Sequence, residues 1–381
     1  MNFSSPTVMN GLLQELQIDN CKLQIANWGQ GEDRPDDQRQ PICVGHSLLR
    51  NEWILLHPSS ILQFAICILQ FAIASSPIRH GRAKSLCNGV IVLVSGGLLI
   101  IATHSLPAAE PRRLTRDGVL KLAPLFVEKG EAVIFAAHDE PNRVSLIRMR
   151  LSDGKQERVD SALTAHQFDA DVSADGRYLC FVLTYTSPQS ILVVRDLKEG
   201  TESRFIPKDA RGTVRGPKIL PDQQCVVFTL SDPGGQQIAS VDMKGANLKR
   251  LTESAGTNAW PAISPDGRQI AFSSSREGSF HLYLMNADGG NVRPLTNHPL
   301  RDMRPAWSPD GKRIAFSSAR DGNLEIYIIN ADGTNVRRIT NHADRDDFPV
   351  WHPDGQQLLI VSERAGDSDL YLVDIDDIPR S

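Results

Sequence analysis

The sequence lacks an excess of charge of either sign and contains no block of like charges. Its 381 residues include 41 Lys and Arg and 45 Asp and Glu, for a formal net charge of −4. A nucleic-acid-binding surface needs a clustered basic stripe, and a charge-driven tail or membrane-surface segment needs a run of like charges. We therefore expect no nucleic-acid partner, and membrane contact only through an uncleaved N-terminal anchor.

Signatures of redox, metal and hydrolytic chemistry are also missing. The chain has six cysteines, and the two after residue 110, Cys180 and Cys225, have neither metal-ligand nor redox spacing. We expect both to be small buried side chains. The sequence contains no G-x-S-x-G nucleophile motif and no H-E-x-x-H zinc motif. We identify no candidate catalytic residue and expect no cofactor.

The first 109 residues differ in pattern from the rest. Residues 61–74 repeat one heptapeptide, ILQFAIC and then ILQFAIA. Such low-complexity sequence predicts that residues 1–78 are an unstructured leader or an extension from a mis-assigned start. Residues 79–109 place basic residues before the apolar run GVIVLVSGGLLIIA and small residues after it. This layout predicts a signal peptide, with an uncleaved membrane anchor as the alternative. Either one places residues 110–381 in the periplasm or otherwise outside the cytoplasm.

Residues 110–381 contain a 44-residue internal repeat. Residues 261–304 and 305–348 match at 26 of 44 positions, and a third copy starts at Pro349. Weaker copies precede them, and six units align on a large apolar residue six positions after each turn. These residues are Phe135, Phe181, Phe228, Phe272, Phe316 and Ile360. The 272 residues of this region fit six units of about 44.

Each unit contains four predicted strands. In the copy that begins at Pro305 they are PAW, RIAFSS, EIYIIN and NVRRIT, with the turns SPDG and NADG between them. Proline presets φ for a tight turn, and glycine accepts the positive φ that a hairpin needs. Four short strands every 40–45 residues are typical of a propeller blade. We predict an all-β fold, a six-bladed β-propeller of four-stranded blades.

The last unit ends without a fourth strand, and the region before the first unit supplies a spare one. The last predicted strand is DLYLVDID, and the segment RRLT at Arg112–Thr115 matches the fourth strand of the other units. A closed ring leaves no unpaired sheet edge. We therefore predict that Arg112–Thr115 pairs with Leu370–Asp374 and completes the last blade.

The segments SPDGRQIAFSS, LYLMNADG and RPLTNH, within residues 264–298, resemble the WD40-like repeats of the TolB family. The resemblance covers roughly residues 112–381. It implies an exported binding module that engages the peptidoglycan-associated lipoprotein of the Tol system through the mouth of its channel. TolB carries an α/β domain before its propeller, and residues 1–109 do not resemble one.

The loops that connect successive units carry the candidate binding residues. Adjacent units have TNHPLRDMRP and TNHADRDDFP at this place, and radial repetition would bring these side chains together at the channel mouth. We predict a polar rim that binds a partner. Solvated loop residues and a metal site are the alternatives. The predicted rim residues are Asn258, His298, Asp302, Arg304, His342, Asp346 and Asp347.

Other recurring residues are predicted to be structural. The Asp-Gly pairs form turns, and Arg276, Arg320 and Arg364 recur at 44 residues as expected blade-to-blade hydrogen-bond donors. The functional prediction is an exported, non-enzymatic scaffold that binds an envelope protein, such as a peptidoglycan-associated lipoprotein. Because propellers host both classes, the alternative is a polysaccharide lyase or hydrolase that uses channel-mouth carboxylates or a metal.

Overall fold

The computed structural model describes residues 110–375, apart from 186–188, 209–211, 234 and 365, and the backbone of four earlier strands. The chain divides into two units, residues 1–108 and 109–381. The first unit contains two antiparallel hairpins. Their strands are β1 (Leu13–Ile18), β2 (Cys21–Ala26), β3 (Val90–Ser95) and β4 (Leu98–Thr103). The rest of the predicted leader and signal segment lies outside the described residues.

The second unit consists of six four-stranded antiparallel sheets. Five of them use four strands that are consecutive in the chain, and the sixth combines three C-terminal strands with one from the start of the unit. The predicted six-bladed β-propeller of four-stranded blades is confirmed. Within the described part of the chain, no helix has the length and apolarity that a membrane span requires.

The strands of each blade follow one another from the central channel outward. Blades 1 and 2 contain β6 (Lys121–Val127), β7 (Ala132–Glu140), β8 (Arg143–Arg150), β9 (Gln156–Arg158), β10 (His166–Val172), β11 (Tyr178–Thr184), β12 (Ser190–Asp196) and β13 (Thr201–Phe205). Blades 3 and 4 contain β14 (Thr213–Ile219), β15 (Cys225–Asp232), β16 (Gly235–Asp242), β17 (Lys249–Arg250), β18 (Asn258–Ile263), β19 (Gln269–Glu277), β20 (Ser279–Asn286) and β21 (Arg293–Pro294). Blades 5 and 6 contain β22 (Asp302–Trp307), β23 (Arg313–Asp321), β24 (Asn323–Asn330), β25 (Arg337–Arg338), β26 (Asp346–Trp351), β27 (Gln357–Ser362), β28 (Asp369–Asp374) and β5 (Arg112–Arg113).

The core lies between neighbouring blades. The large apolar residue that recurs in the second strand of each blade is buried in all six, from Phe135 to Ile360. Phe316 of blade 5, for example, packs in one cluster with Leu284 of blade 4. Burial of one such side chain contributes about 1.5–3 kcal/mol. The apolar contacts that hold the blades together therefore come from the same repeat positions that identify the units in the sequence.

The SPDG turns show why the Asp-Gly pairs recur. In blade 4 the Asp266 carboxylate accepts hydrogen bonds from Ser264 Oγ at 2.6 Å and from Arg268 N at 3.0 Å. Gly267 has φ of +71°, in the left-handed region, and a Cβ there would lie 3.3 Å from Pro221 of the preceding blade. The turn therefore needs an acceptor at one position and no side chain at the next.

The ring is closed by the N-terminal strand of the unit, as predicted. Strand β5 pairs with β28, and the Leu114 amide donates to the Leu370 carbonyl at 2.7 Å. Asp369 begins β28, and its carboxylate accepts from Thr115 Oγ1 at 2.5 Å and from Arg113 Nε at 3.1 Å. Lys121 Nζ of blade 1 lies 3.3 Å from the same carboxylate, and both side chains are fully buried. Two blades are thus joined through one carboxylate.

Candidate functional site

The first strand of each blade, here called the inner strand, lines a central channel of about 1370 Å³. These strands are sheet edges that face the channel, and an edge position tolerates proline because no neighbouring strand needs its N–H. Prolines recur at one channel-lining position of the inner strands. They are Pro124, Pro217, Pro261, Pro305 and Pro349, with Ala170 in blade 2. We call this set the apolar collar.

Every inner strand is interrupted by a β-bulge just before the collar. In blade 5 the pairing with the second strand skips from Met303 to Ala306, and Arg304 between them has φ of +54°. The equivalent residue has a positive φ in all six blades and lines the channel. These bulge residues are Ala123, Asp169, Gly216, Trp260, Arg304 and Phe348. A bulge redirects a side chain, and here it exposes one residue per blade to the channel.

The bulge residues differ from one another although their surroundings recur. Glycine adopts a positive φ without steric cost, and only blade 3 has glycine, Gly216, at this position. The other five side chains accept strain of roughly 1–3 kcal/mol each. Because the bulge itself would be served best by glycine in every blade, the blade architecture does not explain these side chains. Each of these side chains presents a different chemical group to the channel.

The bulge residues of blades 4, 5 and 6 meet in one cluster. The Arg304 guanidinium carbon lies 4.9 Å from the centre of the Trp260 ring and 4.3 Å from the centre of the Phe348 ring. Arg304 Nη1 donates to both oxygens of Asp347, at 3.1 and 3.0 Å. The same carboxylate accepts a hydrogen bond from Arg345. We call Trp260, Arg304, Asp347 and Phe348 the arginine cluster.

Arg304 is held in the cluster with its charge largely removed from water. Burial lowers the pKa of Arg304, the like charge of Arg345 acts in the same direction, and Asp347 opposes both. The side chain is 18% exposed, and its Nε is buried without a hydrogen-bond partner in the described part of the chain. The cluster therefore contains a desolvated cation with an unused donor.

The opposite wall of the channel has charges that are already matched. Arg215 Nε of blade 3 donates to Asp169 Oδ2 of blade 2 at 2.7 Å, and Lys218 Nζ lies 3.0 Å from Asp171 Oδ1. Each of these cations has its own carboxylate. The two walls therefore differ, because two arginines share one carboxylate at the arginine cluster.

Three of the predicted rim residues are buried structural partners. Asp302 begins β22 and accepts from Arg320 Nη2 at 2.9 and 3.0 Å and from Ser318 Oγ at 2.6 Å. The equivalent pairs in blades 4, 5 and 6 are Arg276–Asn258, Arg320–Asp302 and Arg364–Asp346. We call these pairs the blade struts. The predicted blade-to-blade bonding of these arginines is wrong, because each bonds to the first residue of the inner strand of its own blade.

The sequence also placed these residues in loops, whereas the inner strands extend back to include them. Their side chains are fully buried, and they do not line the channel. In blade 6, burial raises the pKa of Asp346, and the nearby carboxylate of Glu325 in blade 5 acts in the same direction. Asp346 is thus an acid whose charge the surrounding protein disfavours.

The two predicted rim histidines lie in the connecting loops. His298 and His342 are half-buried, and the Nδ1 atom of each accepts a backbone N–H two residues later, from Leu300 at 3.2 Å and from Asp344 at 3.0 Å. Among the predicted rim residues only Arg304 lines the channel, and Asp347 holds it. A binding role for the rim as a whole stays a prediction. Within the described residues, no three His, Cys, Asp or Glu side chains are placed to hold one metal ion.

The sequence analysis did not identify Trp260, Phe348 or the paired charges on the opposite wall. A signal for the two aromatic residues was available. The column of recurring prolines is evident in the sequence, and the residue before each proline is the one that changes from blade to blade. A comparison of the residues that precede the recurring prolines would have selected Trp260, Arg304 and Phe348 together.

Comparison with known proteins agrees with this architecture. Residues 152–300 and 295–379 match the model of the TolB beta propeller domain, which together is more than half of the chain. The structure of a putative TolB from Agrobacterium tumefaciens is 26% identical with a TM-score of 0.50, and the match covers 58% of this chain and 81% of that protein. TolB from Acinetobacter baumannii is 22% identical with a TM-score of 0.53, and the match covers 66% of this chain and 65% of that one.

Propellers from outside this family are similar in fold. An oligogalacturonate lyase in complex with manganese is 16% identical with a TM-score of 0.51, and the match covers 71% of this chain and 95% of the lyase. At this identity the likeness extends to the fold alone. The family match, by contrast, includes the repeat units that build the channel. The chain therefore belongs to the TolB β-propeller family.

Proposed function

We propose that this protein is an exported, non-enzymatic scaffold of the periplasm that binds a protein of the cell envelope at its channel mouth. The observation that carries the proposal is the variation of the bulge residues. Six equivalent positions face one channel with six different residues, while the positions around them recur. Residues that a repeated architecture does not require are the ones available for recognition.

The chemistry of the arginine cluster supports a protein ligand. Trp and Arg are the residue types that most often dominate binding energy at protein interfaces, and aromatic residues in general are enriched there. Here Trp260, Arg304 and Phe348 lie together on strands of a rigid ring, which keeps the entropic cost of binding low. The family membership makes a peptidoglycan-associated lipoprotein the first partner to test.

The test uses the full chain as bait in native envelope extract, together with a channel variant that combines Trp260→Ala and Phe348→Ala. The matched control combines Leu248→Ala and Val336→Ala, which remove apolar side chains from exposed positions next to the outermost strands. We expect one envelope protein to be retained by the wild type and the control and lost by the channel variant. Its direct binding is then measured with the purified partner, beginning with the lipoprotein.

Two outcomes contradict the proposal. Retention of the same protein by all three baits would place its binding away from the channel. Retention of no protein, combined with turnover of an acidic polysaccharide by the wild type, would favour the enzyme class instead. Thermal unfolding of each bait verifies that the substitutions leave the ring folded.

A further inference from the structure

The arginine cluster carries one more positive charge than negative charge. Arg304 and Arg345 both contact Asp347, so two guanidinium groups share one carboxylate. The other channel cations, Arg215 and Lys218, each have a carboxylate of their own. The unbalanced charge therefore lies on one side of the channel, where blades 5 and 6 meet. The Asp169 carboxylate across the channel also stabilises the charged form of Arg304, but it is bonded to Arg215, and an anion next to Arg304 would be attracted by the excess charge.

The donors of Arg304 are arranged for a planar anion. Rings from both flanking blades lie against the guanidinium, so its hydrogen-bonding capacity is directed along the edge of its plane. Nη1 is bonded to Asp347 and Nε is buried, but 18% of the side-chain surface stays exposed, and an anion in the channel would contact that part of the guanidinium. Carboxylates accept the in-plane donors of arginine with matching geometry. The aromatic pair is already occupied by a cation, which excludes it as a cage for a cationic ligand.

The surroundings set the size and polarity of the ligand. The apolar collar lies directly beside the cluster, and the channel volume of about 1370 Å³ exceeds that of pockets for drug-sized ligands. Such a space accepts an extended segment or a small organic acid whose apolar part lies against the collar. A few charged groups in largely apolar surroundings fix the orientation of such a ligand.

We propose that Arg304, held between Trp260 and Phe348, is the anchor of a carboxylate-binding site in the channel. The carboxylate comes from a small organic acid, the C-terminus of a peptide or an acidic side chain, which share this chemistry. That the envelope partner delivers the carboxylate rests on the function proposed above. The site itself does not depend on that function.

The experiment titrates the full chain with benzoate and with benzamide, its neutral counterpart of the same shape. Saturable binding is followed by NMR of the arginine Nε–H signals, with the Arg304 signal assigned by its loss in Arg304→Lys, and by fluorescence, because Trp260 belongs to the cluster. We expect benzoate to bind at least tenfold more tightly than benzamide, as a charge-assisted hydrogen bond in a partly dry site requires. Raised ionic strength should weaken benzoate binding only.

The variants separate the site from general effects of charge. Arg304→Gln should weaken benzoate binding at least tenfold and abolish the difference from benzamide. The matched control is Arg313→Gln, because Arg313 is also stacked on a tryptophan, at 4.8 Å from the Trp351 ring, and is 19% exposed, but does not line the channel. It should bind benzoate like the wild type. Equal binding of acid and amide, no saturable binding of either, or unchanged binding by Arg304→Gln overturns the proposal.

Peptides then distinguish the source of the carboxylate. One neutral hexapeptide is prepared with a free C-terminus and as its amide, and a third version carries an internal Glu and an amidated end. Tight binding of the first identifies a chain terminus, and of the third a side chain, whereas binding of benzoate alone identifies a small acid. Benzoate binding without a captured envelope protein would support the carboxylate site and contradict the proposed function. Capture of an envelope protein without benzoate binding would support the proposed function and contradict the carboxylate site.

Discussion

Asp302 and Arg304 lie two residues apart in the inner strand of blade 5, and the arginine–carboxylate pairs that they form have opposite characters. In the blade strut, Arg320 donates to both oxygens of a fully buried Asp302. An arginine bonded to the equivalent residue recurs in blades 4 and 6, where that residue is Asn258 and Asp346. In the arginine cluster, Arg304 faces the channel, shares Asp347 with a second arginine and has no counterpart in the other blades. Recurrence thus separates the arginines that hold a blade from the arginine that we propose as a ligand anchor, although both look alike in the sequence.

The largest effect on stability should come from the carboxylate that closes the ring. Asp369→Ala removes the shared partner of Arg113, Thr115 and Lys121 and leaves a fully buried ammonium group with less compensation. Loss of one partner of a buried ion pair costs about 3–5 kcal/mol, which corresponds to a melting temperature lowered by roughly 10 °C. Asp374→Ala on the same strand, at an exposed position, should leave it unchanged. Equal melting temperatures for the two variants in circular dichroism would contradict this role.

A strut should be the next most sensitive site. Asp302→Ala leaves the largely buried Arg320 guanidinium without its carboxylate, and we expect a loss of about 3 kcal/mol in the free energy of unfolding measured with urea. Asp302→Asn should lose less, because Asn258 already accepts a hydrogen bond from Arg276 at the equivalent place in blade 4. A larger loss for Asn than for Ala would show that the strut is not the source of the effect.

The strut of blade 6 should make the stability of the protein depend on pH. Because the pKa of Asp346 is raised in the folded state, its protonated form is favoured there. The corresponding stability is present below the ordinary Asp pKa of 3.8 and is lost as the pH rises through the raised value. Relative to the wild type, the free energy of unfolding of Asp346→Asn should therefore increase as the pH rises from 4 to 7. Urea titrations across that range measure it, and a relative loss for Asn would reverse the assignment.

The smallest effect on stability should come from the arginine that we expect to matter most for binding. Arg304→Gln removes two ring contacts, but it also removes a desolvated charge and leaves Asp347 bonded to Arg345 and to Ser317 Oγ. We expect a change within about 1 kcal/mol, because these contributions oppose each other. If Arg304→Gln lowered the free energy of unfolding as much as Asp302→Ala in the same urea titration, Arg304 would have a structural role like that of the struts. The contrast between the two pairs would then be lost.

The sequence was sufficient for the fold because the fold is repetitive. A turn residue, a buried phenylalanine and a proline that return every 44 residues determine the blade, the number of blades and the closing strand, and the structure contains all three. The site was predicted less well. Periodicity reveals which positions are equivalent, but not that Asp302 is turned into the blade while Arg304, two residues later, is turned into the channel.

That difference arises from a backbone feature that composition does not record. The bulge interrupts the regular alternation of the inner strand. Two residues that are two positions apart, which would face the same side of a regular strand, therefore contact different neighbours. The contact between Trp260, Arg304 and Phe348 also depends on the radial spacing of three blades, which no single unit contains. Of the seven residues that were predicted to lie together, Arg304 and Asp347 are joined by a hydrogen bond.

The closing strand has a consequence for the order in which the molecule is made. Arg113 and Asp369 are 256 residues apart in the chain, yet they belong to one sheet. A chain that emerges from its N-terminus presents β5 before the other strands of the propeller and must keep it unpaired until β28 arrives. Contacts of such long separation form late and slowly. We therefore expect blade 6 to gain its outermost strand only after the whole propeller has emerged.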